Sequence, residues 1–354
     1  MEKKRNMAMD LIRSFALFCV VCVHFFFAGF YSNVVEGEKM YIMTLLRTFF
    51  MICVPLFIIL SGYLVCKKTL SFKYYKGIIR VLVLYFLAIL VCYLYNCYVA
   101  GTEFVFKDFL LETLSFSAPL YSWYVEMYIG LFLIIPFLNL AYNGLKSQAQ
   151  KTVLILTLAF LNVIPTVLNV KGQIIPDYWL DTYPITYYFI GCYLREFPKV
   201  LPKKVWALCL VVANILMGTY SYHYFFGKNY LFSDWNGFNS VAAMIMSTAV
   251  FAILMDVGFK KENFFTKGIS KVLFYISKLS FGAYLLSYIF DQIFHALLAD
   301  KVEVIGDRFI YMPLVVLAVF VCSILLSAVI DGVYTILCKL CGYIYSLFPK
   351  KREA

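Results

Sequence analysis

DLIRSFALFCVVCVHFFFAGF, residues 10–30, is an apolar run long enough to cross a bilayer as a helix, which takes about 20 residues. Two residues interrupt it: Arg13 near its start and His24 eleven positions later. Eleven residues make about three helical turns, so both side chains leave one face, about 16 Å apart along the axis. Asp10, Leu17 and Val20 share that face at offsets of three and four. A cation at one membrane surface and an imidazole deep in the hydrocarbon thus lie on a single stripe. Ionisable groups at that depth are costly, and they mark a pathway or a site.

The rest of the chain has the same character. Of 354 residues, 63% are hydrophobic and 14% charged, against about 25% charged in soluble domains, so the sequence reads as an integral membrane protein. Aromatic residues reach 19%, as expected where many helix ends sit among lipid headgroups. The first run lacks a small-residue cleavage site after it and keeps its Arg and His, so it reads as a retained span. The eleven Cys lie mostly inside apolar runs and are expected to fill the core, with neither a disulfide frame nor a metal site. The net charge of +11 sits in short loops between apolar runs, which is a topology signal and not a nucleic-acid surface.

Hydropathy places ten spans, at roughly 8–30, 41–65, 77–99, 121–142, 152–170, 181–196, 203–225, 238–258, 272–298 and 309–338. The sixth is short and contains Pro184 and Gly191, both interrupters of helices. Lys3, Lys4 and Arg5 precede the first span, and Lys350, Lys351 and Arg352 follow the last. Between them the even loops carry most of the remaining cations, among them Lys67, Lys68, Lys73, Lys76, Arg195, Lys199, Lys260 and Lys261. Both termini are therefore expected in the cytoplasm. Residues 1–354 read as one transmembrane domain, without repeats and with no soluble catalytic domain after the tenth span.

His24 is the first candidate for chemistry, since His223 and His295 sit near outer helix ends where a hydrated imidazole is the simpler reading. Arg80 opens the third span and Lys67–Lys68 close the second, beside Arg13 at the cytoplasmic surface. Together they suit a polyanion such as the phosphates of a nucleotide; ordinary flanking charge is the alternative for the two lysines. Glu126 lies near the outer end of the fourth span, at about the depth of His24. It either orients the imidazole as a carboxylate partner or pairs with Arg47, which is buried in the second span and needs an acceptor. Two outer loops are long. Gly101–Leu120 contains the amphipathic FKDFLLETLSF, and Tyr222–Asn239 carries Tyr, Phe, Trp and Asn that suit either sugar stacking or an aromatic belt.

Arg13, ten intervening residues and His24 resemble the R-x10-H signature of the acyltransferase-3 family of integral-membrane O-acyltransferases. VPLFIILSGYLV (54–65), with Ser61 and Gly62, looks like that family's second-span motif. Arg80 with Tyr85 is similar to the third-span motif, although Val83 and Leu84 stand where prolines are usual. Trp123, then Gly130-Leu131-Phe132 and Pro136, resemble the fourth-span motif, and SKLSFGAYLLS (277–287) the ninth. Ser287 stands where many relatives carry His, and Glu126 is out of register with the acidic pair of one large branch.

The resemblance implies a standalone polytopic enzyme of the bacterial cytoplasmic membrane. It would transfer an acyl group, usually acetyl, from cytoplasmic acyl-CoA to a hydroxyl of an envelope carbohydrate. Acyl-CoA is then a donor substrate and no cofactor is permanently bound. His24 is expected as general base with Glu126 beside it, and Arg13, Arg80, Lys67, Lys68 and Ser61 as the CoA-binding set. The competing reading is a transporter or flippase of a lipid-linked sugar, in which Arg13 and His24 line a path and do no chemistry.

Overall fold

The computed structural model of the protein describes residues 6–27, 33–259 and 263–347, the last helix with side chains as far as Leu340. Lys3, Lys4, Arg5, Phe30, Lys260, Lys261, Lys350, Lys351 and Arg352 lie outside the described residues. The described residues form helices, joined by loops with only two isolated β-bridges. The protein is an all-α polytopic membrane protein.

Helix α1 (Met7–Phe27) has no Gly or Pro inside it, and most of its residues are buried, among them Ile12, Ala16, Leu17, Cys19, Val20 and Val23. A helix apolar all round belongs at the centre of a bundle. It packs against the second, ninth and tenth spans together. Cys19 and Cys22, in a C-x-x-C spacing, are both buried there.

The second span is two helices, α2 (Gly37–Phe50) and α3 (Cys53–Val65), broken at Met51–Ile52. Pro55 explains the break: it has no N–H for the carbonyl of Met51, and its ring crowds that carbonyl. Helix α4 (Ile79–Ala100) stops at Gly101, whose φ of +65° is the left-handed cap a side chain would strain. The amphipathic loop piece is α5 (Phe106–Leu114), which buries Phe109 and is held where Tyr85 donates to the Thr113 carbonyl at 2.9 Å.

Beyond it come α6 (Trp123–Gly144) and α7 (Gln148–Asn162), the latter opened by a capping box between Ser147 and Gln150. Then follow α8 (Tyr183–Glu196), α9 (Lys203–Phe225), α10 (Val241–Leu254), α11 (Phe264–Lys301) and α12 (Met312–Leu347). Among the described residues nine segments are long and apolar enough to cross a membrane.

The sixth expected span is the exception. Helix α8 has 14 residues, so it rises about 21 Å and falls short of a hydrocarbon core of about 30 Å. It lies in the interior, with Tyr187, Tyr188, Phe189, Ile190 and Cys192 buried. Gly191 does not interrupt it. A Cβ on Gly191 would stand 2.0 Å from the Ile59 carbonyl, and one on Gly62 2.0 Å from the Tyr188 carbonyl. The two glycines let the backbones of α3 and α8 touch, a packing device of membrane helices.

Cross-bundle contacts sort the helix ends into two sets. At one end Arg13 reaches Ser277, Asn139 reaches the carbonyls of Val65 and Lys68, Lys151 pairs with Glu196, and Asp331 bridges Arg80 and Lys278. At the other, His24 reaches Asp291, Lys39 pairs with Asp307, and Val35 bridges to Phe226. Successive helices alternate between these ends, α8 included, α2–α3 counted as one and the short α5 set aside.

Candidate active site

Helix α1 carries His24 to within one turn of its C-terminal end, 6% exposed, where α11 supplies the polar partner. His24 Nδ1 lies 3.0 Å from Asp291 Oδ2. The Tyr121 hydroxyl donates to that same oxygen at 2.8 Å, and the Tyr121 ring stacks on the imidazole at 3.8 Å. Tyr121 is itself fixed by Tyr284, whose hydroxyl donates to its backbone carbonyl at 2.6 Å. On the other side of the carboxylate, His295 Nε2 stands 3.6 Å from Asp291 Oδ1. With Nδ1–H donating to the carboxylate, the imidazole keeps its Nε2 lone pair for a proton, the tautomer a general base requires.

Glu126 does not supply this carboxylate. It is exposed on α6, five residues past Tyr121, while Asp291 sits 4% exposed against the ring. Nor does Glu126 answer Arg47, which is wholly buried and donates to the Tyr230 hydroxyl at 2.8 Å and the Asn236 carbonyl at 3.0 Å. The Arg47 guanidinium also lies over the Tyr230 ring, 4.7 Å from its centre. His295, read from sequence as a hydrated outer imidazole, belongs to the Asp291 cluster. Its signal was legible: Ser287, Asp291 and His295 are four apart on one helix face, and Asp291 interrupts the apolar run SYIF–QIFH. Ser287 closes onto its own helix, donating to the Tyr284 carbonyl at 2.8 Å.

Three cavities lie along the α1 stripe, and those at its Arg13 and His24 ends are named inner and outer after the orientation expected from the charge bias. The inner one, about 240 Å3, takes Arg13, Val20, Ser61, Lys278 and Tyr284 among its walls. A narrow cavity of about 80 Å3 shares Val20, Val54 and Tyr284 with it and adds His24, Cys53 and Tyr121. The outer cavity, about 810 Å3, begins at His24, Phe27 and Tyr121 and extends past Trp123, Tyr183 and Phe238 to Asp291 and His295. Val20 and His24, which share a face with Arg13, thus line the small cavity, Val20 together with the inner chamber and His24 together with the outer one.

The inner wall gathers part of the expected anion-binding set. Arg13 donates to Ser277 at 3.1 Å, and Ser61 stands across the cavity while bonded to the Phe57 carbonyl. Lys278, which the sequence reading did not single out, joins them. Arg80 is outside this lining, although its neighbour Val81 is in it. Its guanidinium meets Asp331 at 2.8 Å, and the same carboxylate takes Lys278 at 2.6 Å. Lys67 and Lys68 are exposed beyond the end of α3 and do not line the cavity.

The long loop after α9 is partly interior and partly cavity wall. Tyr230 and Trp235 are buried structural residues, whereas Phe232, Asp234, Phe238 and Asn239 line the outer cavity. Burial pushes the Tyr230 phenol above its ordinary range against the opposing pull of Arg47, which keeps it a neutral hydrogen-bond partner.

Compared with known proteins, residues 6–331 match the family model described as an acyltransferase domain. No curated protein and no solved structure matches the chain significantly.

Proposed function

The chain belongs to the acyltransferase-3 family and is a membrane acyltransferase, and from that premise we propose that it moves an acyl group, most simply acetyl, from acyl-CoA to a hydroxyl of an envelope carbohydrate. The observation that carries this reading is the position of His24, on the wall shared by the small cavity and the outer cavity.

In this reading acyl-CoA enters from the cytoplasm. Arg13 and Lys278 attract its phosphates, with Arg80 at the rim, and the pantetheine arm follows the apolar stripe past Val20. The rise of about 16 Å from Arg13 to His24 suits that arm. The acceptor occupies the outer chamber, where aromatic side chains offer stacking faces. His24 Nε2 takes the proton of the acceptor hydroxyl as its oxygen attacks the thioester carbonyl. Collapse of the tetrahedral intermediate breaks the C–S bond, and the proton on His24 passes to the departing thiolate. Asp291 and Tyr121 are positioning residues: they hold the tautomer and the plane of the ring. The transport reading is less well supported, because the cavity beside His24 has about one tenth the volume of the outer chamber and suits an acyl group better than a sugar.

The test uses the purified protein in lipid nanodiscs with acetyl-CoA and a glycan fraction from its own envelope. Release of CoA thiol that depends on the glycan, with label appearing as alkali-labile ester on it, supports the reading. Full activity in His24→Gln would overturn the mechanism.

A further inference from the structure

Apart from the imidazoles of His24 and His295, the outer cavity takes its charge from carboxylates. Asp181, Asp234 and Asp291 reach its surface, Asn239 and Gln292 add neutral polar groups, and among the described residues it has no Lys or Arg. The inner chamber has the opposite sign, with Arg13 and Lys278 in its wall.

Two of the three carboxylates stand at the mouth. Asp181 and Asp234 are exposed, and Asn239 holds Asp234 by donating to its Oδ1 at 3.1 Å. The third lies at the floor beside His24. Asp291 is 4% exposed, and its Oδ1 accepts no hydrogen bond from the described residues. Its Oδ2 is taken by His24 and Tyr121, and His295 Nε2 stands 3.6 Å from Oδ1, so this carboxylate is shielded within the floor. The walls between mouth and floor are aromatic, with Trp123 and Phe238 stacked at 5.5 Å. Low-dielectric walls concentrate the field of fixed charges within a cleft.

We infer that the acceptor presents an uncharged or amino-bearing sugar to His24, and that the cavity excludes sugars bearing carboxylate, sulfate or phosphate at the reacting residue. This rests on the acyl-transfer reading of the same site for the word acceptor. The selection itself follows from charge. An anionic sugar meets the exposed Asp181 and Asp234 carboxylates at the mouth, with no Lys or Arg in the described lining to answer it, whereas an amino sugar gains an ion pair there. Discrimination by repulsion is an ordinary source of specificity.

The test is calorimetric binding to the intact protein in nanodiscs of three tetrasaccharides: glucosamine, N-acetylglucosamine and galacturonic acid oligomers. The first two should bind, and the galacturonate should bind at least about tenfold more weakly. In the Asp181→Asn/Asp234→Asn double variant, glucosamine should weaken and galacturonate strengthen, each by about threefold, with N-acetylglucosamine unchanged. Raising the salt should narrow the spread in the same sense. Galacturonate binding as tightly as N-acetylglucosamine, an unaltered ratio in the double variant, or binding of none of the three would overturn the inference. Transfer from labelled acetyl-CoA is measured on the same samples. Charge-selective binding with no acyl transfer to any sugar would overturn the acyltransferase reading and leave the selectivity standing.

Discussion

At His24 the two ring nitrogens have different surroundings: Nδ1 faces Asp291, and Nε2 has no partner among the described residues. That asymmetry sets the expected ranking of variants. His24→Gln keeps hydrogen-bonding groups but takes no proton, so acyl transfer should fall by about 10²–10⁴-fold, read as CoA thiol release. Asp291→Asn leaves the shape and removes the charge that favours the protonated imidazole, so the loss should be about 10–10³-fold. The double variant should be little worse than His24→Gln alone, because the two act as one unit. Glu126→Gln should cost far less than Asp291→Asn, and the reverse order would return the orienting role to Glu126. Arg47 makes a separate case. Its buried guanidinium ties α2 to the loop that carries Phe232, Asp234 and Phe238. Arg47→Leu should destabilise the protein by about 2–4 kcal/mol, as lost charge-assisted bonds would, and should lower acceptor binding more than CoA binding. Thermal unfolding and the two affinities check this.

Among the elements, α8 depends most on its neighbour. It is too short to cross the hydrocarbon by itself, and it gains its place by lying against α3, backbone to backbone, at Gly62 and Gly191. Gly191→Leu must either part the two helices or fail to pack, since its Cβ alone would stand 2.0 Å from a carbonyl oxygen. We expect a loss of at least about 3 kcal/mol, the upper range for overpacking in a core. Gly130→Leu serves as a control, because nothing lies within 4 Å of a Cβ at that position on α6. Equal melting temperatures for the two variants would mean that the close approach of α3 and α8 is not what holds α8. Helix α11 has a different task. Its 38 residues place Ser277 and Lys278 at the inner cavity and Asp291 and His295 at the outer one, so a single rod fixes the distance between the two chambers.

At the scale of the whole molecule, the chambers at the two ends carry charge of opposite sign. If the inner one holds the phosphates of acyl-CoA, Arg13→Ala should weaken its binding by about 1.5–3 kcal/mol, the range for hydrogen bonds to charged groups. Arg80→Ala should cost less, since Arg80 is outside the cavity wall and its Asp331 keeps Lys278. Both affinities should fall as salt rises. Unchanged CoA affinity in Arg13→Ala would leave this charge as a topology signal only. Orientation is tested independently by cysteine labelling at Lys73 and Lys228, in a background without the native Cys. The positive-inside bias puts Lys73 in the cytoplasm and Lys228 outside. Labelling of both from one side would sink the ten-span topology.

Membership of the bundle was written in the chain, because twenty apolar residues in a row have one low-energy environment and short basic loops bias which ends stay inside. The Arg13–His24 stripe was legible for the same local reason: helical geometry fixes which residues of one helix share a face. The kink before Pro55 was equally local, and Asp291 had a signal of its own as a carboxylate within an apolar run. What needed the tertiary structure was every statement about which helix meets which. Glu126 and Asp291 are both carboxylates near outer helix ends, and depth alone does not separate them. Only the packing of α1 against α11 turns Asp291 onto the imidazole and leaves Glu126 facing outward. Gly191 read as an interrupter because its effect within one helix is unfavourable, and its use appears only where a second backbone arrives. Lys278 joined the inner wall in the same way, through Asp331 on another helix. A side chain's direction follows from its own helix, but its partner depends on the rotation and approach of the next, and those are set by the packing of the whole bundle.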